Sequence, residues 1–223
     1  GNGRTEVDSV CNDSRKVTHG ALFVAVKGFA TDGHEYIARA IGLGASVIVY
    51  EDQESLDRQL ASIDSEGIVL VKAESSRYAL AIIAANFYDN PSHKLTLVGI
   101  TGTNGKTTTV TLLHRMFTAM GYSCGLLSTI ANYVGTKGSE AVNTTSDPIT
   151  INSLMNEMVK AGCEYCFMEV SSIGVEQDTS SRISYRFMPW NILQPSFSHT
   201  HITVHYSAKA CYLPLRTRLM IWH

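Results

Sequence analysis

Two periodicities alternate along this chain. Residues 21–26, ALFVAV, are a short apolar run that reads as a buried strand, and SVIVYE (46–51) and GIVLVKA (67–73) read as further strands. Between the first two lies DGHEYIARAIGLGA (32–45), whose apolar positions Tyr36, Ile37, Ala40 and Ile41 recur at helical spacing before a glycine stop at Gly44. RYALAIIAANFYDN (77–90) is a second helix, capped by Ser75 or Ser76 and ended by Asn90-Pro91. The alternation then repeats: strand LTLVGI (95–100), helix TVTLLHRMFTAMG (109–121), strand CGLLST (124–129), a polar stretch to about 147, helix ITINSLMNEMVKAG (149–162) behind Pro148, and strand YCFMEVSS (165–172). Strands alternating with helices imply an α/β protein with mostly parallel sheets covered on both faces. The polar turn formers NPSHK (90–94) mark a boundary, so we expect an N-terminal α/β domain over 1–90 and a second, P-loop-type parallel-sheet domain over 91–182.

The last stretch, 183–223, differs in character. It holds no Asp or Glu, and no periodic helix can be drawn through it. His199, His201 and His205 could be read as a metal cluster, but their surroundings do not favour it.

Composition narrows the class. At 44% hydrophobic and 17% charged, the chain can bury a core. A net charge of −2 supplies no basic stripe, so no nucleic-acid partner is expected. The longest apolar runs are too short to span a bilayer, so no membrane partner is expected either. Five cysteines at irregular spacing suggest a reducing compartment; Cys163-Glu-Tyr-Cys166 lacks a second pair and reads as buried packing. No signal peptide opens the chain, which starts at Gly1 rather than Met, and a bacterial-type cytoplasmic protein is the default expectation.

The chemistry concentrates in TGTNGKTT, 101–108. Gly105, Lys106 and Thr107 match the end of G-x-x-x-x-G-K-[ST], but the first glycine of that pattern would fall on Ile100. The physical parts are nevertheless present. Gly102 and Gly105 let backbone N–H groups turn inward around an anion, and the following helix adds its positive end. Lys106 would reach the outer phosphates and Thr107 would coordinate Mg²⁺. The bland alternative is a Gly-rich turn with an exposed lysine. Glu169 ends an apolar strand, where a carboxylate needs a partner or a metal, or simply faces solvent.

TGTNGKTT resembles the loop of the Mur ligase superfamily, the ADP-forming amide ligases of peptidoglycan assembly, and of their folylpolyglutamate synthetase relatives. Residues 12–51 are similar to the N-terminal domain of the MurE-type members, as are NTTSDP (143–148) and AGCEYCFMEVSS (161–172); a folylpolyglutamate synthetase would share the loop but not the DSR…LFVAVKG segment. The resemblance covers nearly everything from Val7 to Gln177. It implies a UDP-binding first domain and a central ATP-binding domain. Gly102, Thr103, Asn104, Gly105, Lys106, Thr107 and Thr108 would hold ATP, with Lys106 and Glu169 catalytic and Thr107 and Glu169 on Mg²⁺. Asn12, Ser14 and the turn Phe29-Ala30-Thr31 would contact the uridine end of the substrate. Asn143, Thr144, Thr145, Ser171 and Gln177 would contact the muramoyl-peptide part; turn bonding or capping is the alternative for the isolated polar ones. The implied reaction converts the carboxylate of UDP-N-acetylmuramoyl-L-alanyl-D-glutamate into an acyl phosphate, which meso-diaminopimelate or L-lysine then displaces.

The match fails after EVSS. Ile173 stands where the family has His, and Thr179 where Gln-x-Arg requires Arg. The family's next segment, with a second metal ligand and a carbamylated lysine, is not plainly present. Trp190–Pro195 can be encoded so that reading one base later gives Gly-Ile-Phe-Ser-Asn-Leu, the family's segment, so a frameshift near 178–189 is expected to account for the aberrant 183–223 tail. With no C-terminal ligase domain in view, an inactive fragment is expected; a non-catalytic nucleotide- or UDP-sugar-binding module and an unstable gene product are the alternatives.

Overall fold

Each buried strand of the chain carries apolar side chains toward two helical layers, and this sets the architecture. A computed structural model describes residues 5–28, 31–61, 63–101, 104–140, 147–170 and 186–189. The first sheet is wholly parallel, in the order β1 (Ser9–Cys11), β2 (Ala21–Val24), β3 (Val47–Tyr50), β4 (Val69–Lys72). All four residues of β3 are buried, as expected for an inner parallel strand covered on both faces. On one face, Phe23 and Ile48 pack with Ile37 and Ala40 of α1 (Ile37–Gly42) and Leu56 of α2 (Gln53–Leu60). On the other, Val10, Val24 and Val49 pack with Leu80 of α3 (Ser76–Phe87).

The second sheet has the order β10-β5-β9-β6-β7-β8. Its strands are β5 (Thr96–Thr101), β6 (Cys124–Leu127), β7 (Ala131–Val134), β8 (Lys137–Glu140), β9 (Tyr165–Glu169) and β10 (Arg186–Pro189). β10, β5, β9 and β6 run parallel, whereas β7 and β8 form an antiparallel hairpin at the edge. α4 (Lys106–Ala119) covers one face through Val110, against Ile100, Leu126 and Phe167. α5 (Pro148–Lys160) covers the other through Ile151, Met155 and Met158, against Leu97, Cys166 and Met168. Ile149, in the first turn of α5, also packs against the Val10–Leu80 cluster on α3's side of the first sheet.

Five strands and helices of the described residues lie outside the sequence reading. β1 has three residues, too few for a period to show. α2, QESLDRQL, carries only two apolar residues and is held by its Asp52 cap, which accepts from the Glu54 N–H. The β7–β8 hairpin occupies the stretch read as merely polar, and β10 adds a parallel strand within the stretch read as an aberrant tail. The connection at 90–94 is not simply an exposed linker, because Pro91 and Ser92 are buried. Cys163 and Cys166 are both buried in the α5-side cluster, the packing role expected of them. Among the described residues, no helix is long and apolar enough to cross a membrane.

Candidate functional site

In parallel α/β sheets, ligand sites form beyond the carboxyl ends of the strands, and both sheets place there those of the singled-out residues that are described. In the second sheet, β9 lies between β5 and β6, with Ile100 paired to Glu169 and Leu127 to Met168. Strand alternation sends Cys166 and Met168 toward α5, and Tyr165, Phe167 and therefore Glu169 toward α4. Glu169 thus emerges beside the first turn of α4, which begins at Lys106 behind Gly105. Gly105 caps that helix with φ 79°, a left-handed conformation that glycine adopts without Cβ strain.

The result is a small polar cluster. Thr107 Oγ1 donates to Glu169 Oε2 at 3.0 Å. Thr129 follows the end of β6 and donates to the same oxygen twice, from its backbone N–H at 3.2 Å and its hydroxyl at 3.1 Å. Ser128 braces this turn by donating to the Ala131 carbonyl at 2.7 Å and accepting from the Ala131 N–H at 3.1 Å. The sequence reading singled out Thr107 and Glu169 and missed Thr129, for which no local signal exists: a Ser-Thr pair after a strand is ordinary until the fold brings a carboxylate to it. Lys106 and Thr107 are half-buried, Asn104 and Thr108 exposed.

A hydroxyl and a carboxylate at 3.0 Å are suited to a hard divalent cation that takes its remaining ligands from phosphate and water, and the neighbouring helix N-terminus is suited to the phosphate. Among the described residues there is no group of three or more His, Cys, Asp or Glu that could hold a metal.

At the first sheet, Asn12 and Ser14 follow β1 and Thr31 lies in the turn after β2, at adjacent carboxyl ends. Asp13 caps the short turn Ser14–Lys16 by accepting from the Arg15 N–H, and it also receives Arg15 Nε at 2.9 Å and Nη2 at 2.8 Å. These bonds hold the Asp13 carboxyl down to a pKa of about 2. Ser14 is buried, Asn12 half-buried and Thr31 exposed. Nearby, buried His34 donates from Nδ1 to Asp32 Oδ1 at 2.6 Å, while its Nε2 accepts from the Glu51 and Asp52 N–H groups at 3.1 and 3.2 Å. Burial alone would raise the Asp32 carboxyl, yet the bonds from the His34 backbone and ring leave it below its ordinary range. Gly102, Thr103, Phe29, Ala30, Asn143, Thr144, Thr145, Ser171 and Gln177 lie outside the described residues.

With that geometry in place, comparison with known proteins decides the family. Residues 6–88 match the model of the Mur ligase family, catalytic domain, and residues 100–210 that of the Mur ligase middle domain. The chain belongs to the Mur ligase family. Its match to the family's middle domain runs past residue 182, into the stretch read as a tail. This Mur ligase chain is 44% identical over 205 residues to the UDP-N-acetylmuramoyl-L-alanyl-D-glutamate–2,6-diaminopimelate ligase of Cytophaga hutchinsonii, covering 91% of the chain and 40% of that relative. It is 46% identical over 185 residues to the enzyme of the same name from Parabacteroides distasonis, covering 83% and 37%. The chain therefore spans about two-fifths of the length of the curated relatives it matches. Among solved structures, a ligase of that same name superposes with a TM-score of 0.67 at 19% identity over 87% of this chain and 38% of the other. The MurF ligase from Thermotoga maritima in complex with ADP gives 0.52 at 25% identity, over 81% and 36%.

Proposed function

We propose that this chain carries the nucleotide-binding and UDP-substrate-binding parts of an ADP-forming amide ligase of peptidoglycan precursor synthesis. The observation that carries the reading is the Thr107–Glu169 contact, 3.0 Å, beside the helix that follows the GKT sequence. The names of the relatives support UDP-N-acetylmuramoyl-L-alanyl-D-glutamate as the acceptor and 2,6-diaminopimelate as the incoming amino acid. The buried free cysteines Cys11, Cys124, Cys163 and Cys166 fit a reducing, cytoplasmic compartment.

In the proposed reaction the substrate carboxylate attacks the γ-phosphorus of ATP. An O–P bond forms, the bond to the β-phosphate oxygen breaks, and ADP leaves. The amine of the amino acid then attacks the acyl carbon, forming the amide, while phosphate departs and the amine loses a proton. Lys106, the first residue of α4, would neutralise the outer phosphates, and the N-terminal turn of that helix would offer them backbone N–H groups. Thr107 and Glu169 would hold Mg²⁺, with Thr129 fixing the carboxylate. The bound ion would supply the charge that offsets the β- and γ-phosphate oxygens. The residues' work is positioning and charge neutralisation rather than covalent chemistry.

Calorimetric titration of the 223-residue chain with ADP, with and without Mg²⁺, tests the reading. The expected result is ADP binding that Mg²⁺ strengthens and that Lys106→Ala abolishes. A wild-type chain that binds ADP no better than Lys106→Ala would sink it.

A further inference from the structure

Ser76 and Arg77 lie outside the segments quoted for the family resemblance and Glu51 closes one of them, yet the fold links all three to the Lys27 backbone, Glu51 through Ser76. Ser76 accepts from the Lys27 N–H at 3.2 Å. Arg77 donates to the Lys27 carbonyl twice, from Nε at 3.0 Å and Nη2 at 2.8 Å. Ser76 is itself fully buried, and its own N–H donates to Glu51 Oε2 at 2.6 Å. Both hydrogen-bonding groups of the Lys27 backbone are therefore held from the start of α3, 49 and 50 residues away in sequence.

Lys27 opens the turn that leads to Thr31. The Gly28 N–H donates to the Thr31 carbonyl at 3.0 Å, Lys27 bridges Asp32, and the Gly33 N–H donates to the Val26 carbonyl at 2.9 Å. Both glycines are required by close backbone approach: a Cβ on Gly28 would lie 2.5 Å from the Thr31 carbonyl oxygen, and one on Gly33 would lie 2.7 Å from Val26 N and O. The two described ends of this turn are thus bonded to each other, and its first residue is anchored from outside. Thr31, at its far side, is exposed at the same sheet end as Asn12 and Ser14.

We propose that Glu51, Ser76 and Arg77 are positioning residues: by holding Lys27, which is tied to Thr31 and Asp32 through the Gly28–Thr31 bond and the Lys27–Asp32 bridge, they fix Thr31, and so set affinity for the uridine diphosphate end of the substrate without touching it. This rests on the reading of Asn12, Ser14 and Thr31 as the uridine side. A turn already held in its bound shape loses less conformational freedom when ligand arrives. The planar Arg77 guanidinium suits the task because two N–H groups converge on one carbonyl, which an ammonium would meet with a single, freely rotating donor.

Titration of the chain with uridine diphosphate and, separately, Mg²⁺–ADP tests the proposal, together with hydrogen exchange at the Gly28 and Gly33 amides. Arg77→Ala removes both charge-assisted bonds to the Lys27 carbonyl and is expected to weaken uridine diphosphate binding about tenfold through the lost preorganisation. It should leave Mg²⁺–ADP binding unchanged and speed exchange at the two amides. Arg77→Lys should restore part of the affinity. Ser76→Ala should act in the same direction and provides the reading if Arg77→Ala does not fold. Uridine diphosphate affinity equal to wild type in Ser76→Ala and in a folded Arg77→Ala overturns the inference alone. A wild-type chain that binds Mg²⁺–ADP but not uridine diphosphate overturns the uridine reading, and the inference with it.

Discussion

Thr107 donates its hydroxyl to Glu169 Oε2 at 3.0 Å across 62 residues of sequence. The contact exists because β9 inserts between β5 and β6, which brings the strand-end carboxylate beside the helix that follows the glycine loop. Thr107→Val and Glu169→Gln should each lower ADP affinity in the presence of Mg²⁺ by about ten- to a hundredfold, the range for a hydrogen bond or ligand involving a charged group. Without Mg²⁺ the variants and wild type should bind ADP alike. Titrations in Mg²⁺ and in chelator separate the cases; an undiminished Mg²⁺ enhancement in either variant would remove these two residues from the metal site.

Thr129→Val should act in the same direction but less strongly. It removes the hydroxyl donor to Glu169 Oε2 and leaves the backbone donor in place. The Mg²⁺ enhancement of ADP binding is the quantity to compare, with Thr107→Val as the reference. An effect larger than that of Thr107→Val would contradict the supporting role given to Thr129.

Phe167 is 1% exposed and meets the Phe117 ring edge-on at 5.1 Å, between the central strand and α4. Phe167→Ala should cost about 3–5 kcal/mol of stability, a large share of the total for a domain. Urea denaturation followed by circular dichroism measures it. A loss under about 1 kcal/mol would mean that the core closes over the missing ring, contrary to the cost expected of a close-packed interior.

Burial pushes the Cys11 thiol up to about 11 and raises Cys124 and Cys166 as well. At pH 8 the native chain should therefore leave these three unmodified by an alkylating reagent, and the unfolded chain should expose them all. Peptide mass analysis reads each site separately. Rapid native-state labelling of Cys166 would show that the α5-side packing opens readily.

Asp13 supplies a pH signature. Its carboxyl is held down to about 2, first by the Arg15 side chain and then by the Arg15 N–H. A depressed carboxylate contributes stability above its unfolded pKa, about 3.9, and loses that contribution as pH falls through the folded value. The small stability difference between wild type and Asp13→Asn should hold down to about pH 4, then fade toward pH 2. An NMR titration of the Asp13 carboxyl should show its midpoint near about 2; a midpoint near the ordinary value would show that Arg15 does not hold it in solution.

The chain's local pattern determined a good deal. Strands β2, β3, β5, β6 and β9 show in it because inner parallel strands must be apolar on both faces, and α3 and α5 because a one-sided helix repeats its apolar residues each turn. The stretch 101–108 stood out because glycines, a lysine and a threonine at fixed spacing have few other uses. α2 and the β7–β8 hairpin were not legible, since one is too polar and the other too short and exposed to carry a period. Beyond local pattern, only the tertiary structure decided which distant groups meet. Thr129 reaches Glu169 because of strand order, and Arg77 reaches the Lys27 carbonyl because α3 crosses back over the first sheet. A hydrogen bond leaves no periodic trace in the sequence; its partners are chosen by how layers stack, and the stacking depends on every buried side chain at once.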